Sequence, residues 1–368
     1  MNISFVTDCI GYGGAEKMLL FIAKGLYNKG HKVAIINLNN QKGYKLNHVD
    51  YSGIDVYELN TNYKNTFVSN YEYLAFTIKS AKQHKSEVII GFKELANFCA
   101  ATVGKILRIP SIISERGDPF TSFKNISLIR KIKLKIINSA SGAVFQTKDA
   151  GAFYSKKLES KSTIIPNPIW KNKDIKSIDY YNLPKEIIYM GRLDNRQKRL
   201  DVLLESFRIF NKTHAEYILK IYGSGPDKTF IENKIKEYNI QDKVNMMGAS
   251  MSPLQDLSNS GIFVITSDYE GISNSLLEAM AVGLPVVSTD HSPGGARFLI
   301  KDHENGIIVP LGNSELISKA LCEFADNPEL AKYCGNNAMY VLDEFSPNVI
   351  VDKWEQYVLF ISKKVFKN

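Results

Sequence analysis

Cysteine is scarce in this chain, with four thiols (Cys9, Cys99, Cys322 and Cys334) among 368 residues and none in a CxxC pair or a Cys/His spacing. A disulfide framework and a structural zinc site are thereby excluded as sources of stability. No apolar run approaches the roughly 18 residues needed to cross a bilayer. The opening residues, MNISFVTDCIGYGGAE, lack the basic start and long apolar core of an export signal, so a cytoplasmic location is expected. Also missing are DxD, HExxH, GxSxG and the phosphate loop GxxxxGK[ST], which removes the simplest metal-dependent, hydrolase and P-loop readings. No fixed-period repeat or low-complexity tract is present.

What is there is a soluble-type composition, 44% hydrophobic and 23% charged, with a formal charge of +8. That excess favours an anionic partner: nucleic acid, anionic lipid headgroups or a phosphorylated substrate. The basic residues are not interleaved with a stacking platform or a recognition helix, so nucleic-acid binding is the weakest of the three. The length suits two α/β domains rather than one core.

The pattern along the chain agrees. Residues 2–7 (NISFVT) read as a strand, 11–14 as a Gly-rich loop, Ala15–Tyr27 as a helix ended by Gly30, and His31–Leu38 as the next strand. Further strands are expected at 87–91, 111–114 and 142–146, an alternation that argues a parallel, doubly wound sheet. The breaker IIPNPI at 164–169 and the Lys-rich stretch through Tyr181 place the linker. A second α/β series follows: strands at 187–192, 217–223, 244–247, 261–266 and 285–288, and a helix over Leu200–Phe210. A terminal helix is expected over 345–364, and periodicity leaves open which domain it packs on.

Two strand-to-helix junctions in the second half carry chemistry. In FVITSDYEGISNSLLEAMAVGLPVVS, from Phe263, a strand ends near Thr266 and a helix starts near Ser273 or Asn274. Free backbone donors and the macrodipole at such a start favour a diphosphate. Glu278, one turn in, suits ribose hydroxyls, and Glu270, on the loop with Gly271, suits a second hydroxylated group. In MGRLDNRQKRLD (190–201), Arg192 and Lys198 project toward the carboxyl end of the sheet, where two cations can neutralise a departing phosphate. The plainer alternative is that Arg196, Lys198 and Arg199 form an ordinary basic helix start.

Three segments are less decisive. YGSGP at 222–226, with Gly223 and Gly225, either brings backbone near a base or ribose or is only a turn. GYGGAE at 11–16, with Gly13 and Gly14, is a loop-to-helix junction that would meet a phosphate, but lacks the third glycine and the following acidic residue of a dinucleotide fingerprint. FKNISLIRKIKLKII at 123–137 is either a basic amphipathic helix for an anionic membrane surface or a partly buried helix with a solvated basic face.

Taken together these residues resemble the retaining glycosyltransferases of family 4, a GT-B family. The likeness rests on GGAE at 13–16, PNP at 166–168, GRLDNRQK at 191–198, GSGP at 223–226 and EGISNSLLEAMAVGLPVV at 270–287, where Glu270 and Glu278 have the family's EX7E spacing. The resemblance implies an α/β fold of two Rossmann-like, doubly wound domains facing a cleft. They would be an acceptor-binding domain at 1–168 and a nucleotide-sugar-binding domain at 169–345, with a helix at 346–368 returning to the first. It assigns Arg192 and Lys198 to the donor diphosphate, Glu278 to the ribose and Glu270 to the donor sugar, with further phosphate contacts from backbone at Ser273, Asn274, Ser275 and Leu276. It also implies transfer without a metal or other cofactor, the nucleotide sugar being a co-substrate.

One departure stands out. Where the family commonly has a histidine near the reacting sugar, IPSIISERGDP at 109–119 places Arg116. A guanidinium stays protonated and cannot be a general base, but can bind a phosphate or a hydroxyl; alternatively it pairs with Glu115 or Asp118. The ISER segment and the SPGG loop at 292–295 are similar to those of bacterial enzymes that add hexose or N-acetylhexosamine to lipid-linked surface glycans. They imply a UDP-sugar donor and a lipid-linked or oligosaccharide acceptor. Readings kept beside this one are a nucleotide-sugar epimerase of the same fold and a basic nucleic-acid-binding protein.

Overall fold

The computed structural model describes residues 1–10, 14–39, 52–59, 66–124, 126–171 and 177–366. Backbone contacts divide the chain into two units, one made of residues 1–167 and 348–368 and the other of 168–347.

The first unit is built on seven strands: β1 (Asn2–Thr7), β2 (Lys32–Asn37), β3 (Asp55–Glu58), β4 (Val88–Phe92), β5 (Ser111–Ser114), β6 (Gly142–Phe145) and β7 (Ser162–Ile164). Their order is β3-β2-β1-β4-β5-β6-β7, and every pairing is parallel. Parallel strands need crossover helices, which cover both faces, so the central strands are continuous apolar runs; all five residues of β4 are buried. The chain winds outward from β1 to β3, then returns to lay β4 against the other side of β1. The strand order reverses between β1 and β4, and at their carboxyl ends the connections part to leave a crevice.

The helix Pro347–Phe366 is the last element, and from residue 348 onward it belongs to this first unit. Trp354 is fully buried and stacks on Phe92 at the end of β4, ring centroids 5.8 Å apart. The Tyr357 hydroxyl accepts the Ala143 backbone N–H at 2.8 Å and donates to the Lys161 carbonyl. Lys29 pairs with Asp352 at 2.6 Å and Glu355 at 2.8 Å.

The basic segment differs from the single helix expected over 123–137. The helix spans Leu128–Ile137, with Ser127 Oγ accepting the Arg130 N–H at 3.5 Å as its N-cap. A separate turn of helix at Pro119–Ser122 is capped by Asp118. Asn125 lies outside the described residues.

The second unit has six strands: β8 (Glu186–Met190), β9 (Ile218–Tyr222), β10 (Val244–Gly248), β11 (Ile262–Ile265), β12 (Val286–Thr289) and β13 (Ile307–Val309). Their order is β10-β9-β8-β11-β12-β13, again all parallel. Leu203, Phe207 and Phe210 of the helix Leu200–Phe210 pack with Leu219, Ile221, Val264, Leu321 and Phe324 into one core. Here the reversal of strand order falls between β8 and β11.

Candidate active site

The loops after β8 and β11 flank the reversal in the second unit, and they carry Lys198 and Glu270. After β8 the chain turns at Gly191, passes Arg192 and enters a single helical turn, Asn195–Lys198, that ends on Arg199 in the left-handed region (φ 49°). Lys198 is thereby turned inward and is 8% exposed. After β11, Thr266 donates its hydroxyl to the Lys198 and Arg199 carbonyls at 2.8 and 3.0 Å. Farther on, Gln197 Nε2 donates to the Tyr269 carbonyl at 3.0 Å. These bonds fix the two loops to each other and bring the Lys198 ammonium onto the Glu270 carboxylate.

Glu270 accepts a second hydrogen bond from Ser267 Oγ at 2.6 Å, and its own backbone N–H donates to the Ser292 carbonyl at 2.7 Å. Burial acts to raise the Glu270 carboxyl, but the Lys198 charge and the hydrogen bonds from Lys198 and Ser267 outweigh it and hold the group below its ordinary value. It is a carboxylate throughout the neutral range. An ammonium has three N–H donors, so Lys198 can keep Glu270 and still offer hydrogens to a phosphate.

The basic-start alternative is resolved residue by residue. Arg196 reaches Asp194 at 3.3 Å, and Arg199 reaches Asp201 at 3.0 Å and Asp268 at 3.2 Å. Those two cations are held by local carboxylates on the surface. Lys198 alone of the three is buried. Arg192 is exposed, and its guanidinium makes no hydrogen bond or ion pair among the described residues.

The helix that begins at Asn274 runs to Ala281, and Gly283 (φ 83°) follows it. Ser273 is its N-cap residue, yet its hydroxyl lies 3.2 Å from Ser275 Oγ and does not cap the backbone. The first N–H groups of any helix lack an intrahelical acceptor, and those of Asn274, Ser275 and Leu276 are such donors. Glu278 is half-buried on this helix; Gly271 and Ser273 are buried and Asn274 is exposed.

Gly223 and Gly225 are glycines for a backbone reason. A Cβ on Gly223, whose φ is 147°, would run into the Gly191 carbonyl, and one on Gly225 would run into Leu193 backbone. The Leu193 N–H donates to the Ser224 carbonyl at 2.9 Å. The GSG turn is thus packed against the loop that carries Arg192, and its role in the fold is to hold that loop.

The structure therefore brings Lys198, Glu270 and the loop of Arg192 together in one unit, with the helix start of residues 273–276 on the same connection as Glu270. Arg116 follows β5 in the first unit. Gly14 is the exposed first residue of the helix Gly14–Asn28, also in the first unit; Gly13 lies outside the described residues. Sequence reasoning passed over Ser267 and His291. The His291 imidazole is fully buried and is lowered in pKa by burial while the Glu270 charge acts the other way. Its one available signal was its place just beyond β12, the neighbour of β11.

Comparisons with known proteins bear on this arrangement. Residues 171–340 match the model of the family described as "Glycosyl transferases group 1". An uncharacterized glycosyltransferase of Haemophilus influenzae is 26% identical over 359 residues, which is 95% of this chain and 98% of that one. The Campylobacter jejuni GalNAc-alpha-(1->4)-GalNAc-alpha-(1->3)-diNAcBac-PP-undecaprenol alpha-1,4-N-acetyl-D-galactosaminyltransferase is 25% identical over 96% of this chain and 97% of its own. Among solved structures, the lipopolysaccharide outer core galactosyltransferase WaaB superposes with a TM-score of 0.76 at 19% identity, covering 98% of this chain and 99% of that one. Anabaena HepE in complex with UDP gives 0.79 at 16% identity, covering 97% and 99%. The fold is GT-B, and residues 171–340, the segment that holds the Lys198–Glu270 pair, form a group 1 glycosyltransferase domain.

Proposed function

We propose that this protein is a retaining glycosyltransferase that moves a hexose or N-acetylhexosamine from a UDP-sugar to a hydroxyl of a lipid-linked or surface-polysaccharide glycan. The observation that carries the reading is the buried Lys198–Glu270 pair at the strand-order reversal of the second unit. It lies where open α/β sheets bind ligands and on the same connection as a helix start, whose first N–H groups have no intrahelical acceptor. In this reading Lys198 and Arg192 neutralise the donor diphosphate, helped by backbone of Ser273–Leu276 and the turn at Gly271. Glu278 holds the ribose and Glu270 the sugar ring. Gly223 and Gly225 act by supporting the Arg192 loop. The Lys198 and Arg192 cations supply the charge that a divalent ion would otherwise bring, so the reaction is proposed to need no metal. The activity of the Campylobacter relative and the UDP bound by HepE support the acceptor and donor classes.

The test has two arms. UDP-sugars should raise the apparent melting temperature, because they bind the folded state, and UDP should be released only when donor and a lipid-linked glycan are both supplied. Absence of any nucleotide-sugar shift, together with no release, would sink the reading; a new sugar formed from donor alone would instead make the protein an epimerase.

A lipid-linked acceptor requires access to a membrane surface, and among the described residues no helix is long and apolar enough to cross one. We propose that the helix Leu128–Ile137 lies on an anionic surface. Leu128, Ile129 and Ile132 are 73%, 43% and 54% exposed, large apolar side chains left in water beside the exposed Lys131 and Lys135. Positions 128, 131, 132 and 135 share one helix face. Arg130 and Lys133 point elsewhere, to Glu94 at 2.9 Å and Asn70 at 2.9 Å. Each lysine near such a surface contributes about 1 kcal/mol. Lys131→Gln with Lys135→Gln is therefore expected to weaken binding to phosphatidylglycerol vesicles by roughly 10- to 30-fold. Cosedimentation unchanged by the pair would discard the membrane reading and leave transfer untouched.

A further inference from the structure

Arg116 is a half-buried cation with no ion-pair partner among the described residues. It follows β5, at the carboxyl edge of the first unit's sheet, with its guanidinium carbon 5.7 Å from the centre of the Phe92 ring. Its two terminal nitrogens donate to the Ile165 carbonyl at 3.2 Å and to Asn167 Oδ1 at 2.7 Å, both neutral acceptors. Its Nε is buried and has no hydrogen-bond partner among the described residues. The carboxylates beside it in sequence are occupied. Glu115 accepts the backbone N–H groups of Arg116 and Gly117 at 3.0 and 3.1 Å and the Tyr154 hydroxyl at 2.9 Å. Asp118 accepts the Phe120 N–H at 2.9 Å and the Thr121 hydroxyl at 2.7 Å. The expected alternative, an Arg116 pair with Glu115 or Asp118, is thus not formed. Burial lowers the Arg116 guanidinium to about 10, against the Glu115 charge, which acts to raise it; it is a cation at neutral pH.

Removing a cation from water costs several kcal/mol unless an opposite charge and hydrogen bonds offset it. Here the two terminal nitrogens fix the plane of the group, the residue keeps some exposure, and of the five N–H donors of a guanidinium only two are engaged by protein. A planar fork held in this way matches a phosphate oxyanion. We propose that Arg116, on the first unit, binds a phosphate oxyanion of a diphosphate-bearing substrate. The proposal rests on the transferase reading for the source of the diphosphate, since both a nucleoside-diphosphate sugar and a polyprenyl-diphosphate glycan carry that group. It makes Arg116 a binding residue and takes from it any part in proton transfer.

The full-length protein and its Arg116→Gln and Arg116→Lys variants are titrated by calorimetry with UDP, and then with inorganic pyrophosphate at saturating UDP. If the oxyanion comes from the acceptor, wild-type protein retains a pyrophosphate site under saturating UDP, and Arg116→Gln weakens it about 10- to 100-fold. If it comes from the donor, Arg116→Gln weakens UDP itself by a similar factor. Arg116→Lys, which keeps the charge and loses the fork, falls between. The melting temperature of Arg116→Gln without ligand should be unchanged or higher, since an unpaired buried charge has been removed. A lowered melting temperature with both affinities intact would make Arg116 structural and overturn the proposal. Both arms read binding directly, so they stand or fall independently of whether any acceptor turns over.

Discussion

Replacing Lys198 by methionine is expected to slow sugar transfer by about 10²- to 10³-fold, the loss typical of one pre-positioned group that stabilises transition-state charge. It should also destabilise the second unit. Glu270 would be left as a buried carboxylate whose remaining side-chain hydrogen bond comes from Ser267, and breaking a buried ion pair from one side costs about 3–5 kcal/mol. Glu270→Gln should act in the mirror sense, leaving the ammonium unpaired. The informative protein is the double variant. With both charges gone the desolvation cost goes too, so Lys198→Met with Glu270→Gln should recover most of the lost melting temperature and none of the turnover.

Recovery of activity along with stability would mean that the pair only holds the loops together, and the donor-site reading would fail. The acid limb gives a second check. Because the Glu270 carboxyl is held below its ordinary 4.5, its contribution to stability is complete above that pH and is lost as pH falls through the lowered value. The double variant should lack that part of the acid loss.

Trp354→Ala should be the most damaging single change in the first unit, at about 3–5 kcal/mol. The ring is fully buried, stacks on Phe92, and belongs to a helix that also buries Ile350, Val351, Tyr357, Val358 and Ile361. Its removal leaves a cavity between that helix and the end of β4. Phe92 also lies under the Arg116 guanidinium, so the loss reaches the site proposed there. Calorimetry of the variant should show a lowered transition with the far-ultraviolet circular dichroism of the folded state unchanged at low temperature. A change below about 1 kcal/mol would mean that the helix contributes little to the unit. Because Tyr357 holds the same helix through the Ala143 N–H, Tyr357→Phe should cost less, about 1–2 kcal/mol for one buried hydrogen-bonding hydroxyl.

The strands in the middle of each sheet were legible because parallel, doubly covered strands are continuous apolar runs, as in EVIIG and IFVIT. The ones missed, β3, β7 and β13, are short and have polar or half-buried positions. β3, β7 and β13 are sheet edges, where one side has no partner to demand an apolar run. The basic segment misled for a related reason. Its periodicity is continuous from 123, but Ser127 caps the backbone locally and restarts the helix, and a cap competes with helix continuation whatever the apolar spacing. The Gly-Ser-Gly turn invited a ligand reading, yet its glycines answer to the Gly191 and Leu193 backbone, a contact that spacing along the chain does not encode.

By itself the sequence determined the class of fold, the two strand-to-helix junctions and the residue types at them, because hydrophobic period, glycine and helix-start chemistry act over a few residues. The tertiary structure decided which of those residues meet. Lys198 and Glu270 are 72 positions apart and come together because the strand order reverses between β8 and β11, which sets the ends of two distant connections side by side. The same holds for Arg116. Its charge was plain in the chain, but that neither Glu115 nor Asp118 forms an ion pair with it follows from where their carboxylates find hydrogen bonds.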